Sequence, residues 1–220
     1  MNNAIILLSG GLDSVVSLAI ERQNYDNIFA LTFNYGQMSF LNEKIASEKI
    51  ANYYNIEHKI IDLLWLSEFY SDNIPELTVN DLDNSAITHN SAKAVWIPNR
   101  NALFVNIAAC YADSLNYNCI IIGANKEEAQ TFKDNSADFI NSINLSLKNS
   151  CNNNVVVQAP LINKTKNEII ETGIHLNVPF ELISSCYNSG EKHCGKCESC
   201  LRLKRALEYN KREDIIKKLF

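Results

Sequence analysis

Six residues, Ser9-Gly10-Gly11-Leu12-Asp13-Ser14, constrain the fold of this 220-residue chain more than any other stretch. They interrupt a short apolar run at residues 4–8 and precede Val15, Leu18 and Ala19 at helical spacing. Such a pattern reads as a buried strand that turns on glycine into a helix. Two glycines let the backbone approach a ligand closely and take positive φ. Ser9, Ser14 and the N–H groups of the first helical turn are donors, and a helix N-terminus adds partial positive charge. The turn therefore suits a phosphate or pyrophosphate. Asp13, an acceptor among donors, suits a Mg²⁺ bridging phosphate oxygens. The alternative is a plain tight turn with Asp13 or Ser14 as helix cap. The pattern is neither Walker A, which needs Gly-Lys-Ser/Thr, nor Gly-x-Gly-x-x-Gly.

The spacing downstream repeats the alternation. Residues 28–33 and 57–62 read as strands, and 40–54 as a helix with Ile45, Ile50 and Ala51 on its apolar side. A strongly apolar helix is expected at 101–114, a fourth strand at 119–123, a helix at 134–147, a fifth strand at 155–158 and a helix at 165–172. This β-α-β order predicts an α/β fold, a doubly wound parallel sheet of about five strands. The glycine turn then lies at the carboxyl edge of the sheet, where such folds bind ligands. Residues 71–90 are polar and acidic without clear period, and read as a long loop or lid.

The chain holds seven cysteines. Its start lacks the basic region of a signal peptide, and no apolar stretch approaches a membrane span, so a cytoplasmic, reducing setting is expected. Grouped cysteines there more often bind metal or do chemistry. Cys186-x₇-Cys194-x₂-Cys197-x₂-Cys200 has the spacing of a closed Cys₄ shell for structural Zn²⁺. Iron–sulfur ligation and redox use are the competing readings. Lys192 and Lys196 would offset part of the thiolate charge, and Cys110 and Cys119 read as small core residues. The net charge of −5 argues against a broad nucleic-acid surface. Residues 191–220 carry nine Lys/Arg against five Asp/Glu. Arg202, Lys204, Arg205, Lys211, Arg212, Lys217 and Lys218 read as a solvated helix face or an oligomer contact.

The turn Leu8-Ser9-Gly10-Gly11-Leu12-Asp13-Ser14 resembles the PP-loop of the ATP pyrophosphatase superfamily. With the four-cysteine tail it is similar to the 7-cyano-7-deazaguanine (preQ0) synthase family of queuosine biosynthesis, over nearly the whole chain. Further blocks carrying the likeness are Phe33-Asn34-Tyr35-Gly36-Gln37 with Glu43, Pro98-Asn99-Arg100-Asn101, Gly123-Ala124-Asn125, Pro160-Leu161, Lys166-Asn167-Glu168-Ile169 and Ser185-Cys186-Tyr187. The resemblance implies a Rossmann-like PP-loop domain at 1–185 and a zinc-binding segment at 186–220 packed on it. It implies an ATP-dependent ligase that, with Mg²⁺, adenylates a 7-deazaguanine carboxylate and takes ammonia through an amide to a nitrile.

By the same likeness, Leu8 to Ser14 would bind ATP. Asp13, Ser14, Arg100 and Lys166 would be catalytic, the two cations facing the α-phosphate or the acceptor carboxylate. Tyr35, Gln37, Glu43, Asn101, Asn125, Glu128, Phe132 and Asp134 would contact substrate, with Tyr35 or Phe132 stacking on a flat ring. Cys186, Cys194, Cys197 and Cys200 would hold the metal. The partners implied are small molecules, not nucleic acid or membrane, and a homodimer is compatible. One block departs from the commonest bacterial form: Glu127 to Ser136 retains Asp134 but lacks the usual Cys and Arg, as in an archaeal-type subgroup. That keeps open a variant that stops at the amide or joins the activated acid to another amine. A PP-loop tRNA-modifying enzyme is a further alternative, disfavoured by the acidic balance. A non-catalytic nucleotide-sensing module is disfavoured by the intact Ser9, Asp13 and Ser14.

Overall fold

The apolar run near the start of the chain forms the central strand of the sheet. The computed structural model, which describes residues 2–71 and 73–220, sets β1 (Asn3–Leu7) between β2 (Asn27–Asn34) and β4 (Cys119–Ile121). The edges are β3 (Glu57–Asp62) beside β2 and β5 (Val156–Gln158) beside β4. Every neighbouring pair is parallel, with Ile5 opposite Phe29 on one side and Ile120 on the other. Side chains alternate across a strand. Ala4 and Ile6 therefore enter one core, while Ile5 enters the other.

The first core joins α1 (Leu12–Glu21), α2 (Phe40–Tyr54), α6 (Lys166–His175), α7 (Glu198–Tyr209) and α8 (Glu213–Leu219). The second joins α4 (Arg100–Leu115) and α5 (Ala137–Leu147). Helices on both faces of a parallel sheet ordered β3-β2-β1-β4-β5 make the expected doubly wound fold. The C-terminal helices share this core directly: Leu203, Ala206, Leu207, Ile215 and Leu219 cluster with Val16, Ile169 and Ile170.

Several elements differ from the sequence expectation, each for a local reason. Within 71–90, the described residues include a 3₁₀ turn at Val79–Asp83 and the start of α3 (Ser85–Val95), while Asp72 lies outside them. The Asn84 side chain caps α3 by accepting from the amides of Ala86 and Ile87. Only Ser91 and Ala92 of this helix are buried, so no apolar period marks it. In α2 the buried side is Ala46, Ser47, Ile50, Ala51 and Tyr54, and Ile45 is exposed. The small residues are there because Gly10 backs onto them. Its φ is +78°, and a Cβ at Gly10 would fall 2.7 Å from the Ala46 Cβ. Cys110 is exposed rather than a core residue, whereas Cys119 is buried. Helix α5 begins at Ala137, not at 134, because Ser136 caps it through Oγ to the Phe139 amide at 3.1 Å.

Candidate active site and cysteine centre

After β1 the chain passes to α1 on one face, and after β4 to α5 on the other. Between the two strand ends opens a cavity of about 290 Å³. This is the switch point where doubly wound sheets bind ligands. Leu8, Ser9, Gly11, Leu12, Asp13 and Ser14 line it on one side. Gly11, not Asp13 or Ser14, stands at the N-cap of α1. The turn holds itself: Ser9 Oγ accepts from the Gly11 amide at 3.2 Å and lies 3.3 Å from Ser14 Oγ, which donates to the Gly11 carbonyl at 3.0 Å. Gly123, two residues beyond β4, allows close approach, since a Cβ there would sit 3.0 Å from the Ser14 nitrogen.

Beside the turn, three charges converge from distant parts of the chain. Lys166 Nζ bonds Asp13 Oδ2 at 2.5 Å and Glu128 Oε1 at 2.8 Å. Burial would lower the Lys166 pKa, but the two carboxylates hold it above its usual range. Burial pushes the Asp13 carboxyl up to about 6, with Lys166 pulling down and Glu128 adding to the rise. Glu128 feels the same burial, yet Lys166 keeps its carboxyl below the ordinary value. Asp13 Oδ1 is buried without a partner among the described residues. An orphaned anionic oxygen next to a phosphate-sized turn fits a divalent cation.

The opposite end of the cavity is aromatic. Phe33 and Phe104 stack at 4.1 Å, and Trp96 lies parallel to Phe132 with centroids 5.7 Å apart. Arg100, the first residue of α4, donates from Nη1 to Tyr35 Oη at 3.1 Å. Burial would lower Arg100, but the neighbouring Tyr35, Asp134 and Glu43 keep it above its usual value. Burial pushes Glu43 up even though Ser39 Oγ and Gln37 Nε2 donate to it. Burial likewise raises Asp134.

The expected substrate residues fall into two groups. Tyr35, Gln37, Glu43, Arg100, Asn101, Glu128, Phe132 and Asp134 line the cavity with the phosphate turn, whereas Gly10, Asn125 and Lys166 do not. Lys166 reaches it through Asp13 and Glu128. Asn125 is fully buried and uses Oδ1 to accept from the amides of Glu127 and Glu128, each at 3.1 Å. Gln37 also works within the wall, accepting from the Tyr35 amide and donating to the Phe33 carbonyl. Asn101 Nδ2 donates to the Asp134 carbonyl at 3.2 Å.

Sequence reasoning passed over Trp96, Ser185 and Tyr187 as site residues, yet all three line the cavity. Ser185 Oγ accepts from the Leu12 amide at 3.1 Å, and the Ser184 amide donates to the Gly10 carbonyl at 2.9 Å. The signal was the position of Ser185 and Tyr187 on either side of Cys186. The next residues of the chain thus run from the phosphate turn into the cysteine centre.

The sulfurs of Cys186, Cys194, Cys197 and Cys200 lie within 4.8 Å of one another. Cys194 and Cys200 are 3.8 Å apart. Zn–S bonds of about 2.3 Å in a tetrahedron imply a sulfur spacing of about 3.8 Å. Backbone amides of Asn188 and Cys194 point at Cys186 Sγ, and those of Lys196 and Cys197 at Cys194 Sγ, at 3.3–3.5 Å. Such N–H···S bonds suit thiolates better than thiols, so the donor set fits a metal. Lys196 pairs with Glu76 at 3.3 Å. Arg202, expected on a solvated face, is largely buried between Glu198 and Glu127.

Comparison with known proteins agrees with this geometry. The profile of the family described as "Queuosine biosynthesis protein QueC" matches residues 3–211. The chain is 46% identical over 211 residues to a 7-cyano-7-deazaguanine synthase from Methanobrevibacter smithii, covering 93% of this chain and 92% of that protein. The synthase of the same name from Carboxydothermus hydrogenoformans is also 46% identical, covering 94% and 98%. Among solved structures, a 4-thiouridine synthetase–RNA complex with bound ATP matches at TM-score 0.52 and 16% identity, over 99% of this chain and 52% of that one. NMN synthetase from Francisella tularensis matches at TM-score 0.50 and 16% identity, over 99% and 86%. At such identities the likeness is one of fold. The sequence match, running through the phosphate turn and the four cysteines alike, is of another order, and the chain belongs to the QueC family of queuosine biosynthesis proteins.

Proposed function

We propose that this chain is an ATP-dependent carbon–nitrogen ligase that converts 7-carboxy-7-deazaguanine and ammonia into 7-cyano-7-deazaguanine. The observation that carries this reading is a single cavity with a phosphate-binding turn at one end and an arginine on an aromatic wall at the other. A carboxylate has no good leaving group, so it must be activated. The acceptor carboxylate oxygen attacks the α-phosphorus of ATP, the bond to pyrophosphate breaks, and an acyl adenylate forms. Ammonia attacks the acyl carbon, AMP leaves, and loss of a proton gives the amide. The amide oxygen then attacks the α-phosphorus of a second ATP. Expulsion of AMP with loss of the nitrogen's two protons gives the nitrile.

The protein's contribution is position and charge. The turn from Leu8 to Ser14 cradles the pyrophosphate. Asp13 offers its unpartnered Oδ1 to a Mg²⁺, which supplies charge neutralisation at the phosphates. Lys166, behind the cavity wall, orients the Asp13 and Glu128 carboxylates toward the phosphates; Arg100, with its planar fork, holds the acceptor carboxylate. Phe132 and Tyr35 flank the flat ring, Asp134 meets its donor edge, and Glu128, whose Oε1 is held by Lys166, offers its second oxygen to the same edge. The four cysteines take a structural Zn²⁺, making residues 186–220 a metal-ordered brace on the ATP-binding domain at 1–185. The net charge of −5 favours small-molecule partners over nucleic acid. No described helix is long and apolar enough to cross a membrane, and the cytoplasm supplies ATP and ammonia.

The test is incubation with 7-carboxy-7-deazaguanine, ATP, Mg²⁺ and ammonium, with mass spectrometry of the product. The nitrile with AMP is expected. An amide or an amine conjugate as end product would replace the nitrile with the variant chemistry that the Glu127 to Ser136 block leaves open.

A further inference from the structure

We propose that Arg202 is a positioning residue for the adenylation site, through which the helix rooted in the cysteine centre holds Lys166 and Glu128 in place. The inference rests on the site reading above and goes beyond it. Its basis is a continuous set of contacts. Cys197 is the N-cap of α7 and Cys200 lies in its first turn, so the cysteine cluster fixes the start of that helix. Arg202 follows Glu198 by one helical turn. Its Nε and Nη2 both donate to Glu198 Oε1, at 2.9 and 2.8 Å. This leaves Nη1 aimed at Glu127 Oε2, 3.2 Å away. A guanidinium held by one carboxylate presents its remaining donor in a fixed direction, which a lysine cannot do.

Glu127 is the junction. Its other oxygen, Oε1, accepts the Lys166 backbone amide at 2.7 Å. That amide is the first of α6, a group with no partner inside its own helix. Glu127 also precedes Glu128 in the chain. One side chain therefore fixes the backbone that carries Lys166 and the backbone that carries Glu128. The side chains of Arg202, Glu198 and Glu127 are 19%, 12% and 23% exposed. At that burial, ion pairs are screened much less than on an open surface. Without the guanidinium, Glu127 and Glu198 would face each other as like charges. Glu127 would turn toward water, releasing the Lys166 amide and letting Glu128 drift. Misplacement of about 1 Å at a reacting group costs up to about a hundredfold in rate. The fold does not need this contact, since α7 is already anchored by Leu203, Ala206 and Leu207.

The test compares wild-type zinc-loaded protein with Arg202→Met, Glu127→Gln and the double variant. Methionine keeps an apolar stem for packing and removes the fork. Zinc content and Tm are measured first, then hydrogen exchange at the Lys166 amide, then AMP release with 7-carboxy-7-deazaguanine as acceptor. The expected result for Arg202→Met is unchanged zinc, Lys166 amide exchange faster by about tenfold, and kcat lower by about tenfold to a hundredfold with KM for ATP within about twofold. The double variant should be no slower than the worse single one, because both substitutions cut the same link.

Unchanged exchange at Lys166 in Arg202→Met would overturn the proposal whatever the activity. So would faster exchange with wild-type kcat, a loss of kcat that tracks loss of zinc, or additive losses in the double variant. A wild-type protein that releases no AMP with the deazaguanine acid would strike the ligase reading alone. The link between the helices then stands or falls on the exchange measurement.

Discussion

The two ends of the cavity are built by different means. At the phosphate end the backbone sets the frame, a strand end, a glycine turn and the first turn of α1, closed by Ser184 and Ser185 bonding to Gly10 and Leu12, and the charges of Asp13, Glu128 and Lys166 are fixed beside it. At the aromatic end, side chains make it, and Tyr70, Val95, Trp96 and Ile97 come from the stretch between β3 and α4 that includes α3. That stretch leaves Leu64, Trp65, Phe69, Val79 and Trp96 exposed. A glycine turn with fixed charges beside it suits a group every ATP carries, whereas the side chains of the aromatic wall can be exchanged to fit an acceptor. The phosphate end should therefore tolerate substitution poorly, and the aromatic end should give graded losses.

The largest loss should come from Asp13→Ala, which removes the acceptor at the turn and strands the Lys166 charge. AMP formation should fall by at least about 10²–10³-fold with the fold intact by circular dichroism. Near-wild-type AMP release would show that the phosphate end works without this carboxylate. Stripping the metal with a strong chelator should come next. Metal-bound Cys segments owe much of their order to the ion, and here Cys186 follows directly on Ser184 and Ser185, which hold the phosphate turn. Elemental analysis should give about one zinc per chain in a colourless protein. Its removal should weaken ATP binding and lower Tm together, and a brown protein holding iron and sulfide would sink the zinc assignment.

Arg100→Lys probes the other end. It keeps the charge but loses the fork and the contact with Tyr35. A loss of about tenfold to a hundredfold in kcat/KM for the acceptor is expected, with KM for ATP little changed. Equal losses toward both substrates would erase the division of labour between the ends.

How far this contrast could be read beforehand follows from the same physics. The strand–turn–helix at Ser9 and the cysteine spacing are local patterns, and local patterns carry their geometry with them. Helix α3 was not legible because almost none of its residues is buried, so its apolar period is missing. Lys166 could be flagged, but not its pairing with Asp13 and Glu128, which lie 153 and 38 residues away. The burial of Arg202 against Glu127 was equally hidden, since composition made the tail look like a solvated face. Each of these depends on where separate loops meet at the sheet's edge, and no spacing in the chain encodes that.

The pH dependence gives a finer test of the charged cluster. Burial is the main cause of the raised Asp13 pKa, about 6, and the ionised form is the one that can hold a cation. The rate kcat/KM reports the free enzyme, so it should fall as pH drops through about 6. The Glu128 carboxylate adds to the rise by like-charge repulsion and by sharing Lys166. Replacing it in Glu128→Gln removes both effects, and their loss lowers the Asp13 pKa. The acid limb should then move to lower pH, whatever happens to the maximum rate. A limb that stays in place, or moves up, would mean that the group titrating near 6 is not Asp13.

The smallest effect should be at Trp96. It lies parallel to Phe132 with an interplanar angle of 7° and is itself 37% exposed, so more than a third of its surface already meets water. An aromatic pair of this kind contributes about 0.5–1.5 kcal/mol beyond its buried area. Trp96→Ala should leave Tm and KM for ATP nearly unchanged and raise KM for the deazaguanine acid by about threefold to tenfold. If ATP binding weakens instead, the adenine ring rather than the acceptor lies against this pair, and the assignment of the two ends must be reversed.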